Sequence, residues 1–472
     1  MRKLWIAGEW MATGRTMAVT NPYDGTTVDE VALAGPAEAE RALAGAVAGA
    51  AAMRALPAYD RANILRRASQ RLVDEQRELG RLISLEEGKT LAEGVFEVTR
   101  AAETLALSAD EARRMAGEQL PLDAAPGGSG KLGFTLRVPC GVVLAITPFN
   151  FPLNLVCHKV GPALAGGNSV IVKPASDTPL TALRLVEILL ECGLPPLGIA
   201  CLAGGGAELG GVLAADERVR KISFTGSADV GRRICGVAGL KRVTMELGSN
   251  SPLIVMPDAD IERAAAAIVA TGYGNAGQVC ISTQRVIAVG ESHGRLLDAL
   301  APRVRGLRCG DPLAPETQMG PMIRERDAIR VATWIGEAVA GGATLVCGGE
   351  HDGARFAPTL LDQVRPEMRV CREELFGPAV GVARVESLDE AIALANDSRY
   401  GLSAGLFTRD LATALRFAKE VDAGNLHVNW GPGWRADLMP YGGLKESGFG
   451  KEGPRYAIEE MTELKTVVFH GG

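Results

Sequence analysis

The stretch GVVLAITPFNFPLNLVCHKVGPALAGGNSVIVKP, residues 141–174, decides the fold class. Its first piece, GVVLAIT, is a continuous apolar run of strand length. Such a run reads as a strand buried on both faces. LNLVCHKVGPALAGG then has helical spacing and closes on two glycines. NSVIVKP is a second buried strand, halted by a proline that lacks the donor a strand needs. Outward from there the alternation continues through TPLTALRLVEILLECGL (helix), IACLAG (strand), AELGGVLAAD (helix) and VRKISFTGS (strand). Another alternating block runs from SPLIVM through AIALAND. Alternating strands and helices imply parallel sheets covered on both faces. The expectation is therefore an α/β protein with two doubly wound parallel-sheet domains, whose sites lie beyond the strand carboxyl ends.

The flanks read differently. From Ala37 to Gly117, apolar residues at helical spacing with charges between them predict several helices. PLDAAPGGSGKLGFTLRVP, residues 121–139, is a turn-rich piece followed by alternation, which suggests an inserted ribbon rather than core. The tail ELKTVVFHGG holds a last strand candidate.

A chain of 472 residues has room for two or three domains and a large core. Its net charge of −6 provides no basic field for nucleic acid. MRKLWIAGEWM has no apolar run before Glu9, so no secretory leader is expected. No apolar stretch is long enough to span a bilayer, and the expected location is cytoplasmic. The nine scattered cysteines contain no C-x-x-C pair, and the five histidines form no H-E-x-x-H motif, so no bound metal is expected.

Short motifs fall where the strands end, and each has two readings when taken alone. TPFNFP (147–152) holds Asn150 between two prolines, either as a loop brace or as an amide donor to an oxyanion. KPASDTP (173–179) ends a strand on Lys173, which is either a surface charge or a reach toward ribose or phosphate. GGGAELGG (204–211) and FTGSADVGRR (224–233) are either tight turns or pyrophosphate turns opening helices. In the latter, Gly226 and Ser227 offer backbone amides and a hydroxyl. MELGSNSP (245–252) sets Glu246 in apolar company, as a strand-end carboxylate or as a base with a raised pKa. YGNAGQVCISTQR (273–285) places Cys280 among glycines and small polar residues, as a small core residue or as an approachable thiol. REELFGP (372–378) and PYGGLKESGFGKEG (440–453) complete the set.

TPFNFP, KPAS, FTGS, ELGSNSP, GQVCIS, EELFGP and PYGGLKESG occur in that order, and together they closely resemble the aldehyde dehydrogenase superfamily over essentially the whole chain. The resemblance implies that Cys280 attacks an aldehyde, with Asn150 and the Cys280 amide holding the oxyanion. Glu246 then activates water against the thioester, and Lys159 helps orient this apparatus. On the cofactor side it implies Thr147, Phe149, Lys173, Ser176, Gly226, Ser227, Leu247, Gly248, Glu374 and Phe376. Among these, Glu374 holds the nicotinamide ribose with Phe376 beside it, and Lys173 reaches the adenosine ribose. Ser176 stands where NAD-preferring members often carry glutamate. A serine does not repel a 2′-phosphate, so NADP as well as NAD is expected to bind.

The same resemblance implies an NAD(P)-binding domain of residues 1–119 and 140–245 and a catalytic domain of 246–435. The oligomerisation ribbon would comprise 120–139 and 455–472, in a homodimer or homotetramer. The expected substrate is a small polar or anionic aldehyde. Val279, Ile281, His158, Arg435, Arg113 and Arg114 are its candidate contacts, the arginines being suited to a carboxylate, phosphonate, phosphate or sulfonate. Glu246 argues against a CoA-acylating semialdehyde dehydrogenase, which needs no hydrolytic base. The full set of reactive residue types argues against a non-catalytic structural member. A cysteine hydrolase would leave the cofactor turns unexplained.

Overall fold

The computed structural model describes residues 1–470. The buried runs at Val142–Ile146, Ser169–Lys173, Ile199–Cys201, Val219–Thr225 and Arg242–Glu246 are the parallel centre of an eight-stranded sheet. In space they lie in the order 199, 169, 142, 219, 242, so the sheet grows toward one edge from Val142–Ile146 and then toward the other from Val219–Thr225, with all five strands parallel. That reversal of strand order opens a crevice at their carboxyl ends, where TPFNFP and FTGS begin. Two short N-terminal strands, Leu4–Ile6 and Glu9–Met11, extend one edge antiparallel. The strand Gly448–Phe449 closes the other edge, opposite Met245 and Glu246.

The second sheet has seven strands, six of them parallel: Thr359–Asp362, Ala379–Val385, Arg285–Val289, Pro252–Val255, Ser403–Phe407 and Asn425–Val428. Thr344–Cys347 pairs antiparallel at one edge.

Four helices, Pro36–Ala55, Ala58–Asp74, Gln76–Glu87 and Leu91–Arg114, form the expected helical N-terminal region. The last starts at a reciprocal cap: Thr90 Oγ1 accepts from the Glu93 amide, and the Glu93 carboxylate accepts from the Thr90 amide at 2.9 Å.

The ribbon pairs Lys131–Pro139 with Thr462–His470 in an unbroken antiparallel register, with Gln119–Leu120 on its far side. The expected boundary at 455 falls inside a helix, Pro454–Glu460, whose Pro454, Ala457 and Ile458 are buried; the ribbon strand starts at Thr462. Gly471 and Gly472 of the expected ribbon lie outside the described residues. No single helix among the described residues is long and apolar enough to cross a membrane.

Candidate active site

Past the helix Ile261–Gly272, the backbone turns through Asn275, Ala276 and Gly277 with φ of 50°, 52° and 68°. A side chain at Gly277 is excluded twice, because its Cβ would also stand 2.1 Å from the Gly377 carbonyl oxygen. For Asn275 and Ala276 the left-handed region costs about 1–2 kcal/mol each, and the surroundings hold them there. Glu93 accepts from the Asn275 amide at 2.8 Å and Glu87 from its Nδ2 at 2.9 Å. Gln278 Oε1 accepts from the Ile323 amide at 2.9 Å. This anchored turn presents Cys280 half-buried, in an apolar cluster of Val279, Ile281, Leu402 and Tyr441.

Asn150, carried on the crevice loop after Val142–Ile146, comes to the same place. Its Nδ2 donates to the Gln278 carbonyl at 2.8 Å, while its Oδ1 has no partner among the described residues. Its own carbonyl accepts from Lys89 Nζ at 2.6 Å. Lys89 is fully buried, pairs with Glu97 at 2.7 Å and lies 4.1 Å from the centre of the Phe151 ring. Glu97 in turn accepts from the Leu153 and Asn154 amides at the start of the helix Asn154–Ala165. Segment 87–97 thus braces both loops of the site.

The Cys280 thiol sits 3.3 Å from the Tyr441 hydroxyl. Burial pushes its pKa up to about 12, with Tyr441 acting against that shift and Glu374 and Glu246 adding to it. Glu246, the last residue of its strand, is buried with both carboxylate oxygens unpartnered. Burial and the nearby Glu452 raise its pKa well above the carboxylate range.

Behind these groups runs a buried chain of charges. Lys159 Nζ donates to Glu452 at 2.9 Å and to Thr225 Oγ1 at 2.8 Å. The other oxygen of Glu452 accepts from Arg435 at 2.9 Å. Arg435 lies 4.0 Å from the centre of the Tyr441 ring and reaches His158 Nδ1 at 3.1 Å. His158 Nε2 is 2.8 Å from Asp437, which Arg100 grips with two bonds of 2.7 and 3.1 Å. The Arg435 guanidinium stands 3.0 Å from Nε2 as well, so it is the Asp437 carboxylate, which only accepts, that calls for the proton of neutral His158 on Nε2. Burial and Arg435 lower its pKa to about 4.

Of the residues expected on the cofactor side, Thr147 and Phe149 follow the strand Val142–Ile146, Lys173 and Ser176 lie at and after the end of Ser169–Lys173, Leu247 and Gly248 follow Arg242–Glu246, and Glu374 and Phe376 precede Ala379–Val385. Lys173 is buried with its pKa lowered by burial to about 8, and it donates to the Pro174 carbonyl at 3.2 Å. Ser176 donates to the Gly204 carbonyl at 3.1 Å. Leu247 is buried, its amide donating to the Ser447 carbonyl at 3.0 Å. Glu374 accepts from the Ser249 amide at 3.0 Å and has its pKa raised by burial to about 7. A Cβ on Gly248 would sit 2.3 Å from a Glu374 oxygen, so the close approach requires glycine there. Phe149 and Phe376 meet edge to face with centroids 5.9 Å apart. Thr147 Oγ1 is buried without a partner. Unpartnered buried oxygens beside a glycine-lined approach fit a polar ligand such as a dinucleotide.

Three expectations need correction. Gly226 offers no amide to a pyrophosphate: its N–H donates to the Glu246 carbonyl at 3.0 Å, and glycine is needed because a Cβ would stand 2.6 Å from the Phe224 ring. The Ser227 hydroxyl, capping the helix Ala228–Ala238, remains exposed at that turn. Arg113 and Arg114 do not join the site; both are exposed, one over the Tyr59 ring and the other beside Glu111. The arginine on that helix that reaches the site is Arg100, fourteen residues before Arg114. His158 does not line an open pocket, being enclosed between Asp437 and Arg435. Lys89, Glu97 and Asp437 carried no motif signal of their own, and nothing within the quoted stretch 440–453 set Tyr441 and Glu452 apart as site residues. Only the glycine-rich setting of Tyr441 and Glu452 could have drawn attention to them.

The chain is similar to known proteins over nearly its whole length. The aldehyde dehydrogenase family model matches residues 10–467. A 3-sulfolactaldehyde dehydrogenase of Priestia megaterium is 46% identical over 99% of this chain and 98% of its own. Aldehyde dehydrogenase 21 of Physcomitrella patens, solved with the product succinate, superposes with a TM-score of 0.97 at 35% identity, covering 100% of this chain and 98% of its own. A glyceraldehyde-3-phosphate dehydrogenase of Methanocaldococcus jannaschii, solved with NADP, superposes with a TM-score of 0.94 at 34% identity over 97% and 100%. The chain belongs to the aldehyde dehydrogenase family, and it is accordingly an enzyme that oxidises an aldehyde with NAD(P).

Proposed function

We propose that Cys280 is the nucleophile with which this enzyme converts a small anionic aldehyde to its carboxylic acid. The observation that carries the reading is the 2.8 Å bond from Asn150 to Gln278, which sets the Asn150 amide against the cysteine loop. Once its proton has passed to solvent water, the Cys280 sulfur attacks the carbonyl carbon, and the π electron pair moves to oxygen. The second N–H of Asn150 and the Cys280 amide stabilise that oxyanion. NAD(P)+, when bound, would accept the hydride that leaves this carbon as the oxygen pair re-forms the carbonyl of a thioester. Glu246 then takes a proton from water, hydroxide adds to the thioester, and the C–S bond breaks with its pair on sulfur. A hydrolytic base here favours release of the acid over transfer to coenzyme A. Lys159 acts through Glu452, keeping that carboxylate compensated beside Glu246.

On the cofactor side, Glu374 and Phe376 flank the nicotinamide ribose, with Thr147, Phe149, Leu247 and Gly248 shaping the approach. Ser227 serves the pyrophosphate. Lys173 serves the adenosine ribose, and Ser176 beside it admits NADP as well as NAD. Val279 and Ile281 flank the aldehyde. Arg435, whose buried Nε has no acceptor among the described residues, supplies a donor for an anionic substituent. The anionic groups in the names of the relatives above support that class. The ribbon strand Thr462–His470 is a sheet edge with Leu464 and Phe469 exposed, which supports pairing with a second copy in a dimer or tetramer.

Reduced-cofactor formation tests the reading. The panel pairs sulfolactaldehyde, lactaldehyde, succinate semialdehyde, phosphonoacetaldehyde and a neutral alkyl aldehyde with NAD and NADP separately. The expected result is a kcat/KM for an anionic aldehyde at least about tenfold above the neutral one, as one buried charge-assisted contact provides. A preference for the neutral aldehyde would overturn the substrate class.

A further inference from the structure

The Tyr441 hydroxyl has one hydrogen-bond partner among the described residues, and it is the sulfur of Cys280, at 3.3 Å. Tyr441 is 3% exposed, so the phenol is a fixed group and not a passing surface contact. Arg435 lies over its ring at 4.0 Å, held there by Glu452 and His158. A cation on the face of a phenol draws density from the ring and makes its O–H a stronger donor. We propose that Tyr441 is a further catalytic residue, its hydroxyl donating to the Cys280 sulfur so that the thiolate is available for attack and is received again when the thioester breaks. This inference rests on the assignment of Cys280 as the nucleophile.

The direction of the bond follows from proton inventory. Once the thiol has lost its proton, the only hydrogen between the two atoms is the one on the phenol oxygen. That hydrogen stays in place, because burial and the neighbouring Cys280 and Glu246 all oppose ionisation of Tyr441. The charged or titratable groups acting on the thiol are Tyr441, Arg435, Glu246 and Glu374. The two carboxylates disfavour the thiolate, so Tyr441 and Arg435 are what oppose them. The same bond acts twice in the cycle. It lowers the energy of sulfur as nucleophile, and it lowers the energy of sulfur as leaving group when hydroxide has added to the acyl carbon.

Tyr441→Phe removes one oxygen and keeps the ring under Arg435. The readout is the rate of iodoacetamide labelling of the Cys280 peptide against pH, resolved by mass from the exposed Cys235 and Cys309. The expected profile moves alkaline by about one to two pH units, as loss of a bond to a charged group implies. kcat/KM falls about ten- to a hundredfold with it. Tyr441→3-fluorotyrosine, which makes the phenol more acidic, moves the profile the other way. It also keeps the test open if the phenylalanine variant fails to fold. An unshifted or faster profile in Tyr441→Phe, with the thermal midpoint unchanged, would overturn the role of Tyr441. If Cys280 of the unmodified enzyme takes no label while activity is lost, the nucleophile assignment itself falls, a result distinct from the first.

Discussion

Asn150 donates to the carbonyl of Gln278 at 2.8 Å, joining the first sheet's crevice loop to the loop that carries Cys280. One hydrogen of the amide positions the cysteine loop, which leaves the other for substrate oxygen. Asn150→Ala therefore removes a brace together with the proposed oxyanion donor. The expected loss in kcat is about 10²–10³-fold, with a stability loss of about 1 kcal/mol. Steady-state kinetics and thermal melts of the same preparation separate the two. A loss in kcat no larger than the stability change implies would remove the oxyanion role.

Lys89 is the buried cation that Asn150 leans on. Lys89→Met leaves Glu97 without its ion-pair partner in the core, at a cost of about 3–5 kcal/mol. The double variant Lys89→Met with Glu97→Gln removes the stranded charge. It is expected to recover most of the melting temperature, but not the activity, because the Asn150 carbonyl keeps only the longer 3.4 Å bond from Asn275 Nδ2. Recovery of both would make Lys89 a purely structural residue.

Glu374 and Gly248 give a prediction about the cofactor. Glu374 ionises near pH 7, so its carboxylate form, the better acceptor for ribose hydroxyls, is lost as pH falls below that value. KM for NAD(P)+ is expected to rise below pH 7 in the unmodified enzyme and to be flat across that range in Glu374→Gln. Gly248→Ala, which puts a methyl 2.3 Å from the Glu374 carboxylate, is expected to raise the same KM about tenfold by displacing it.

His158 makes stability depend on pH. Its folded pKa of about 4 lies below the unfolded value of 6.5. Between those values the unfolded chain binds more protons, so this contribution is complete above pH 6.5 and is lost as pH falls toward 4. The difference is about 3 kcal/mol. In His158→Gln the denaturant midpoint is expected to vary less between pH 4 and 6.5. An unchanged pH dependence would mean that His158 is charged in the folded protein.

The strand-helix alternation was legible because buried parallel strands are apolar throughout and their helices keep a 3.6-residue period. The three-residue strand Leu4–Ile6 is too short to show a period, and only its pairing with Glu9–Met11 on one side and Cys201 on the other defines it. The roles proposed for Cys280, Glu246 and Asn150 could be read from sequence because each sits in a compact motif at a strand or helix end. Lys89 was not, since EEGKTLAE reads as a solvated helix start and its partner Asn150 lies 61 residues away. Tyr441 lies 161 residues from Cys280, a relation that no local pattern encodes. Arg113 and Arg114 were misplaced because helical spacing shows which face a residue takes, but not where along the helix the site falls. At 1.5 Å per residue, Arg100 is about 21 Å nearer the helix start than Arg114.

The most direct test of the central claim is intact and peptide mass analysis of Glu246→Gln mixed with aldehyde and NAD(P)+. The account predicts one equivalent of reduced cofactor in a burst, then near-arrest, with the acyl mass on the peptide containing Cys280. Continued turnover with no adduct, or an adduct on another residue, would contradict it.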